Sequence, residues 1–247
     1  MNKTVRIDLI IIFFVIAVGL SMFFRVPQFN PSWYDSLREY RFGWILVSLL
    51  RASGPLTGGI ICIWFFRKKY ERTITFLGTS VLISLLYFFA PVVMITLMGI
   101  DSGNGDNVHY YGLLSGLTLM LYCIFEETGW RGYLQDAMRG VPNPLRFIII
   151  GTLWYCWHLN FLSPELHSIK FGLLIHLPSC ILGSWIIGYM ADKYKSLMVA
   201  AAIHCIFNIF FDLGTDMRSK FIIAAGVFLV WIAASKVLDK VDKTTVA

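Results

Sequence analysis

Gly112 to Leu134 read GLLSGLTLMLYCIFEETGWRGYL, and the fold is decided by how this stretch is read. Up to Phe125 it has the composition of a membrane span. Glu126, Glu127 and Arg131 then follow within six positions. A charge at the centre of a bilayer costs about 2.5–3.5 kcal/mol on insertion scales. Either the stretch is not a span, or its charges have partners inside a bundle.

The rest of the chain favours the bundle. Of 247 residues, 57% are hydrophobic and only 15% charged, against about 25% charged in soluble domains; the mean hydropathy is +0.68. At ~20 apolar residues per span, the length allows about eight spans with short loops. The expected fold is all-α, a polytopic membrane helical bundle of about eight transmembrane helices. The spans are expected near 7–24, 43–66, 73–99, 109–138, 145–162, 170–190, 196–212 and 220–237. With no internal repeat, low-complexity tract or linker, residues 1–247 read as one integral-membrane domain. The first apolar run, LIIIFFVIAVGLSMFF after Lys3 and Arg6, lacks a small-x-small cleavage site and reads as a retained anchor.

The five cysteines fall in apolar stretches without CxxC spacing and read as buried small hydrophobes. The net charge of +6 is concentrated in loops. It is therefore a topology signal, and nucleic acid is not an expected partner. RKKYER, Arg67 to Arg72, should face the cytoplasm by the positive-inside rule. The loop from Asp101 has no Lys or Arg and should lie outside. Arg139, Arg146, Lys193, Lys195 and the C-terminal lysines Lys236, Lys240 and Lys243 fall inside, which places both termini in the cytoplasm. Two loops break the alternation: 25–42, with Arg25, Arg38 and Arg41, and the short one with Arg218 and Lys220.

Polar residues recur inside several spans. The fifth carries His158 and, near its outer end, Asn160; the sixth carries His176; the seventh carries His204 and Asn208. At 1.5 Å per residue, Glu126 and His158 each lie ~21 Å from the cytoplasmic turns that flank their helices. His204 and Asn208 lie ~12 and ~18 Å up theirs. Ionisable groups at comparable depth on three helices are expected to share one interior site. Glu127 and Arg131 are i,i+4 neighbours, Glu first, and can neutralise each other. Glu126, about 100° round the helix, has no partner on its own helix and suits proton transfer. His204 and Asn208 share a face and can address one substrate atom. A carboxylate and a histidine to activate water, with polar donors for an oxyanion, is hydrolase chemistry. Taken singly, each residue has a bland reading. EExxxR can be helix–helix glue, His158 and His204 satisfied bundle histidines, His176 structural, and His109 and His167 exposed at loop edges. The conjunction is what points to a site.

These motifs resemble the CAAX prenyl protease and bacteriocin-processing (CPBP, or Abi) intramembrane proteases. The family pattern is EExxxR, then an aromatic-xxx-His, then HxxxN. Here it reads Glu126-Glu127-x-x-x-Arg131-Gly132, Trp154-x-x-x-His158 and His204-x-x-x-Asn208. LRASGPLTGGI, Leu50 to Ile60, also looks like the family's earlier Gly-Pro segment, so the resemblance covers roughly 50–212, the family-like catalytic core. Trp154 departs from the more usual phenylalanine. The resemblance implies an endopeptidase in the cell membrane acting on a peptide or a membrane-anchored, prenylated protein tail near the cytoplasmic face. Glu126 looks like the general base with His158 assisting. His204 and Asn208 look like oxyanion stabilisers, while Glu127 and Arg131 organise the site. No cofactor is the preferred reading. The alternative is zinc on Glu126, His158 and His204, although no HExxH is present. A non-enzymatic scaffold or bacteriocin-immunity protein is the alternative function. An ion-coupled transporter is a third, disfavoured by the lack of a repeat.

Overall fold

The computed structural model describes residues 7–159 and 172–245. Asn160 and His167, singled out above, lie outside them, as do Lys3 and Arg6. The described residues form ten α-helices and no β-strand. The helices are α1 Ile7–Arg25, α2 Ser32–Ser36, α3 Gly43–Arg51, α4 Ser53–Phe66, α5 Val81–Met98, α6 Val108–Gly129, α7 Asn143–Trp157, α8 Leu177–Tyr194, α9 Leu197–Phe211 and α10 Met217–Thr245. The all-α membrane bundle is therefore observed. By length and apolarity, five helical stretches can cross a membrane, or six if the bent pair α3–α4 counts as one. The expected count of eight is not met on that criterion. α7 and α9 have 15 residues each, about 22 Å of helix against a ~30 Å hydrocarbon core.

Three expected boundaries move, each for a local reason. The stretch 43–66 breaks at Ala52 into two helices bent by 50°. Pro55 falls in the first turn of α4, where its missing N–H is not needed. The third span starts at Val81 instead of residue 73. Ser80 caps it by accepting from Ile83 N. Residues 73–75 are instead held out of helix, and 76–79 turn: Thr73 N and Ile74 N donate to Asp136 Oδ2 at 2.6 and 2.9 Å, and Thr75 pairs with Ser196. Finally, α6 runs on as a π-helix over Trp130–Gln135, a wider turn often found at functional sites.

Small residues set the helix spacing. On α4, Gly54 meets Ala17 and Ser21 of α1, and Gly58 meets Phe13 and Ala17, so the two helices run antiparallel. A Cβ on Gly59 would stand 2.8 Å from the Gly129 Cα, and one on Gly129 would stand 2.5 Å from the Pro55 carbonyl oxygen. The α4–α6 crossing thus needs glycine on both sides, two residues beyond Glu127. α9 sits at the centre, with 12 of its 15 residues buried, as expected of a helix apolar all round. Large apolar side chains such as Ile11, Trp64, Phe65, Phe89, Leu97 and Leu229 face outward, which suits a lipid surface.

The end of the bundle that bears Arg139 is tied by charge. Arg139 reaches both Asp136 and Asp192, and Arg146 also reaches Asp192. This cluster joins the chain after the π-helix, the start of α7 and the end of α8.

Candidate active site

The EExxxR segment lies wholly inside the protein: Glu126, Glu127 and Arg131 are all 1% exposed or less. Glu127 is a junction. Its Oε1 accepts from Arg131 Nη1 at 2.8 Å on its own helix and from His204 Nδ1 at 2.8 Å across on α9. A carboxylate can only accept, so Nδ1 of His204 carries the hydrogen in this contact. Arg131 also stands over the face of Trp154, 5.2 Å from the ring centroid. Glu127 Oε2 and Arg131 Nε and Nη2 have no hydrogen-bond partner among the described residues.

Glu126 points a different way and is not left without partners. Trp154 of α7 donates Nε1–H to its Oε2 at 2.8 Å. Arg25, the last residue of α1, brings Nη2 to 3.5 Å from its Oε1. Arg25 is anchored in turn: Nη2 donates to Tyr122 Oη at 2.7 Å, Nε donates to the Arg51 carbonyl at 3.0 Å, and the guanidinium lies 3.7 Å from the Trp157 ring centre. Arg25 could have been suspected from sequence, since it is a basic residue at the end of an apolar span on the side that breaks the charge alternation. Trp154 was noted only as an aromatic, yet its N–H is what touches Glu126. A phenylalanine there cannot donate.

His158 follows α7 as its C-cap. Its Nδ1 lies 2.8 Å from the Trp154 carbonyl, which can only accept, so Nε2 holds the lone pair. Its ring packs against His176 at 4.8 Å between centroids and against Trp157 at 5.1 Å. His204 packs edge-on against Trp154 at 4.9 Å. Trp154 therefore stands between Glu126, Arg131, His158 and His204. Asn208, one turn beyond His204, turns its Nδ2 toward Cys123 Sγ at 3.5 Å, a weak contact. His204 and Asn208 thus each have an internal partner, instead of both pointing at one place.

The metal alternative meets a different grouping. Among the described residues, the His/Cys/carboxylate set whose ligand atoms lie within 4.8 Å of one another is His158, His176 and Cys180. Glu126, His158 and His204 do not form such a set. His204 is engaged by Glu127, and His158 turns toward His176, which sequence reasoning had left structural.

Residues 110–210, which hold all six candidate residues, match the family model described as "Type II CAAX prenyl endopeptidase Rce1-like". The candidate residues thus lie within a stretch that is similar to the CAAX prenyl endopeptidases. A curated relative, "CAAX prenyl protease 2" of Methanococcus maripaludis, is 25% identical over 178 residues, covering 64% of this chain and 66% of that protein. The match thus spans just under two thirds of the relative's own length. The matched stretch includes nearly all of α6, all of α7 and α8 and nearly all of α9, whereas Arg25 and the glycines of α4 lie before it.

Proposed function

We propose that this protein is an intramembrane endopeptidase of the CAAX prenyl protease 2 type, cutting peptides or lipid-anchored protein tails near the cytoplasmic membrane face. The observation that carries the reading is the buried grouping around Trp154: its N–H is on Glu126, its ring packs against His158 and His204, and Glu127 holds His204, inside a membrane bundle. Charges are costly there unless they serve a site, and the similarity of residues 110–210 to CAAX prenyl endopeptidases supports the reading.

The chemistry follows from the side-chain roles. Glu126, with a Trp154 N–H on one oxygen and Arg25 beside the other, is a positioned carboxylate base. It takes a proton from water, and His158 Nε2 accepts a second hydrogen bond from the same water. The oxygen attacks the scissile carbonyl, and the carbonyl electrons move onto oxygen. Asn208 Nδ2 donates to that oxyanion after giving up its weak sulfur contact, and His204 joins it as an imidazolium, with Nδ1–H kept on Glu127 and Nε2–H turned to the oxyanion. Collapse breaks the C–N bond, and Glu126 returns its proton to the leaving amine. Glu127 and Arg131 hold His204 in place without touching substrate.

The test is proteolysis of a membrane-proximal peptide library by purified protein in detergent, comparing wild type with Glu126→Gln at equal folding and reading products by mass spectrometry. Cleavage that disappears in the variant supports the assignment. Equal cleavage by both removes Glu126 from its role. Activity that is lost on chelation and restored only by added zinc would overturn the metal-free route.

A further inference from the structure

We infer that His158, His176 and Cys180 form a binding site for a soft divalent cation of the zinc type. The inference stands on the side chains themselves. Its consequence for activity rests on the peptidase reading above.

Three observations converge. First, His176 and Cys180 are four residues apart, His176 at the end of the π-helix Gly172–His176 and Cys180 in α8. Residues i and i+4 project from one helical face, the spacing that lets two side chains chelate one ion. Second, His158 arrives from α7 so that its ligand atom and those of the other two lie within 4.8 Å of one another. Zn–N bonds of about 2.0–2.1 Å and a Zn–S bond of about 2.3 Å put tetrahedral ligand atoms roughly 3.4–3.6 Å apart. The gap is about 1 Å, within reach of side-chain rotation. Third, His158 is already in a metal ligand's tautomer. Its Nδ1–H is spent on the Trp154 carbonyl at 2.8 Å, which leaves the Nε2 lone pair. A backbone carbonyl on the second ring nitrogen is the usual outer support of a ligating histidine.

The donor set selects the ion. Two imidazoles and a thiol suit Zn2+ and Co2+, and disfavour Mg2+ and Ca2+, which take oxygen ligands. Binding converts Cys180 S–H to thiolate and releases one proton. Cys180 is buried, while both histidines are half-buried, so a fourth position can be left to water on the histidine side. Packing favours the same grouping: Gly151 of α7 meets the backbone of Cys180 and Ile181 so closely that a Cβ there would stand 2.6 Å from the Ile181 Cα. The α7 and α8 backbones are therefore held in contact beside the ligands.

A cation here would occupy the Nε2 lone pair that His158 offers to the attacking water. Zinc should therefore inhibit this peptidase, through residues distinct from the Glu126–His158–His204 set suggested by sequence.

The experiment is a Co2+ titration of the full-length protein in detergent, followed by absorption. One equivalent should produce a thiolate-to-cobalt charge-transfer band and a tetrahedral visible band, both displaced by Zn2+. Cys180→Ser should abolish the charge-transfer band. His176→Asn should weaken binding by at least about tenfold, with size-exclusion profile and melting temperature checking each fold. Glu126→Gln and His204→Ala should keep the band, which separates this site from the catalytic reading. No band in folded wild type, or a band that survives Cys180→Ser, overturns the inference. In the activity arm, micromolar Zn2+ should inhibit wild type and spare Cys180→Ser. Equal inhibition of both would sever the site from activity even where cobalt binds. Unaltered cleavage by Glu126→Gln would overturn the peptidase assignment while leaving the cobalt result intact.

Discussion

Substituting Glu127 by glutamine removes the one full negative charge facing Arg131, and the size of the effect can be worked from the geometry. The pair is 2.8 Å apart with both side chains 0% exposed. At an effective dielectric constant of about 20, that separation corresponds to roughly 6 kcal/mol of attraction. Glutamine keeps a carbonyl acceptor, so part is retained; breaking a buried pair by removing one partner typically costs about 3–5 kcal/mol. Glu127→Gln should thus lower the melting temperature in detergent by about 6–20 °C, taking 2–4 °C per kcal/mol for a chain of this size. Arg131→Met should cost less, because Glu127 keeps His204 Nδ1 as a partner at 2.8 Å. The double variant Glu127→Gln/Arg131→Met has no uncompensated charge and should recover most of the lost stability, since apolar replacement of a whole buried pair is often neutral. It should still fail to cleave, because His204 has lost the carboxylate that positions it. The cycle is read by thermal unfolding and peptide cleavage on the same preparations. A Glu127→Gln melt within 2 °C of wild type, or a double variant no better than the single, refutes the reasoning.

Trp154→Phe keeps an aromatic ring but removes the N–H on Glu126 Oε2. A hydrogen bond to a charged group is worth about 1.5–3 kcal/mol, so kcat/KM should fall roughly 10–100-fold with folding intact, and an unchanged value would show that the indole N–H does not matter. Gly59→Ala places a methyl 2.8 Å from the Gly129 Cα and should cost about 1–3 kcal/mol by overpacking, while displacing the glutamates enough to reduce cleavage; a silent substitution would mean the α4–α6 crossing can open freely. Outside the spans, hydrogen bonding to Arg41 holds the Asp106 carboxyl below its ordinary range. A depressed carboxyl stabilises above its unfolded value, about 3.9, and loses that contribution as pH falls through the folded one. Amide protection across 101–107, measured relative to intrinsic exchange at each pH, should therefore fall below about pH 4, and Arg41→Gln should remove that acid dependence.

Composition and hydropathy were enough to reveal an all-helical membrane bundle, because long apolar runs have few other uses. Helix breaks were harder to see. Residues 73–79 are as apolar as a span, but Asp136, more than sixty positions from Thr73, takes the Thr73 and Ile74 amides and keeps the chain there out of helix. The π-helix at Trp130 leaves no mark in composition, since only backbone pairing distinguishes it. At the site, i,i+4 spacing was enough to suggest Glu127 with Arg131, and the meeting of Glu127 with His204 follows from depths comparable on two helices. The turn of Asn208 toward Cys123 does not follow from spacing. HxxxN fixes a shared face, and neighbours decide where each side chain points within it. The same holds for His176 and Cys180: their spacing was readable in HLPSC, but only the approach of α7 brings His158 to them.

Arg25 shows how a topology rule can hide a site residue. Counted as a loop charge, it argues against the orientation that Arg67 to Arg72 require. Its side chain is only 5% exposed and is spent on Tyr122, Arg51 and Glu126. The positive-inside rule counts charges left at the interface, so a guanidinium buried against a carboxylate has no place in that count. Arg41 pairs with Asp106 but is two-thirds exposed, so it stays in the count. With Arg25 withdrawn, loop 25–42 keeps Arg38 and Arg41 as discordant charges. Part of the positive surplus counted in loop 25–42 and the lone carboxylate at Glu126 are then one fact: α1 carries an arginine to the buried carboxylate that α6 could not partner from its own helix.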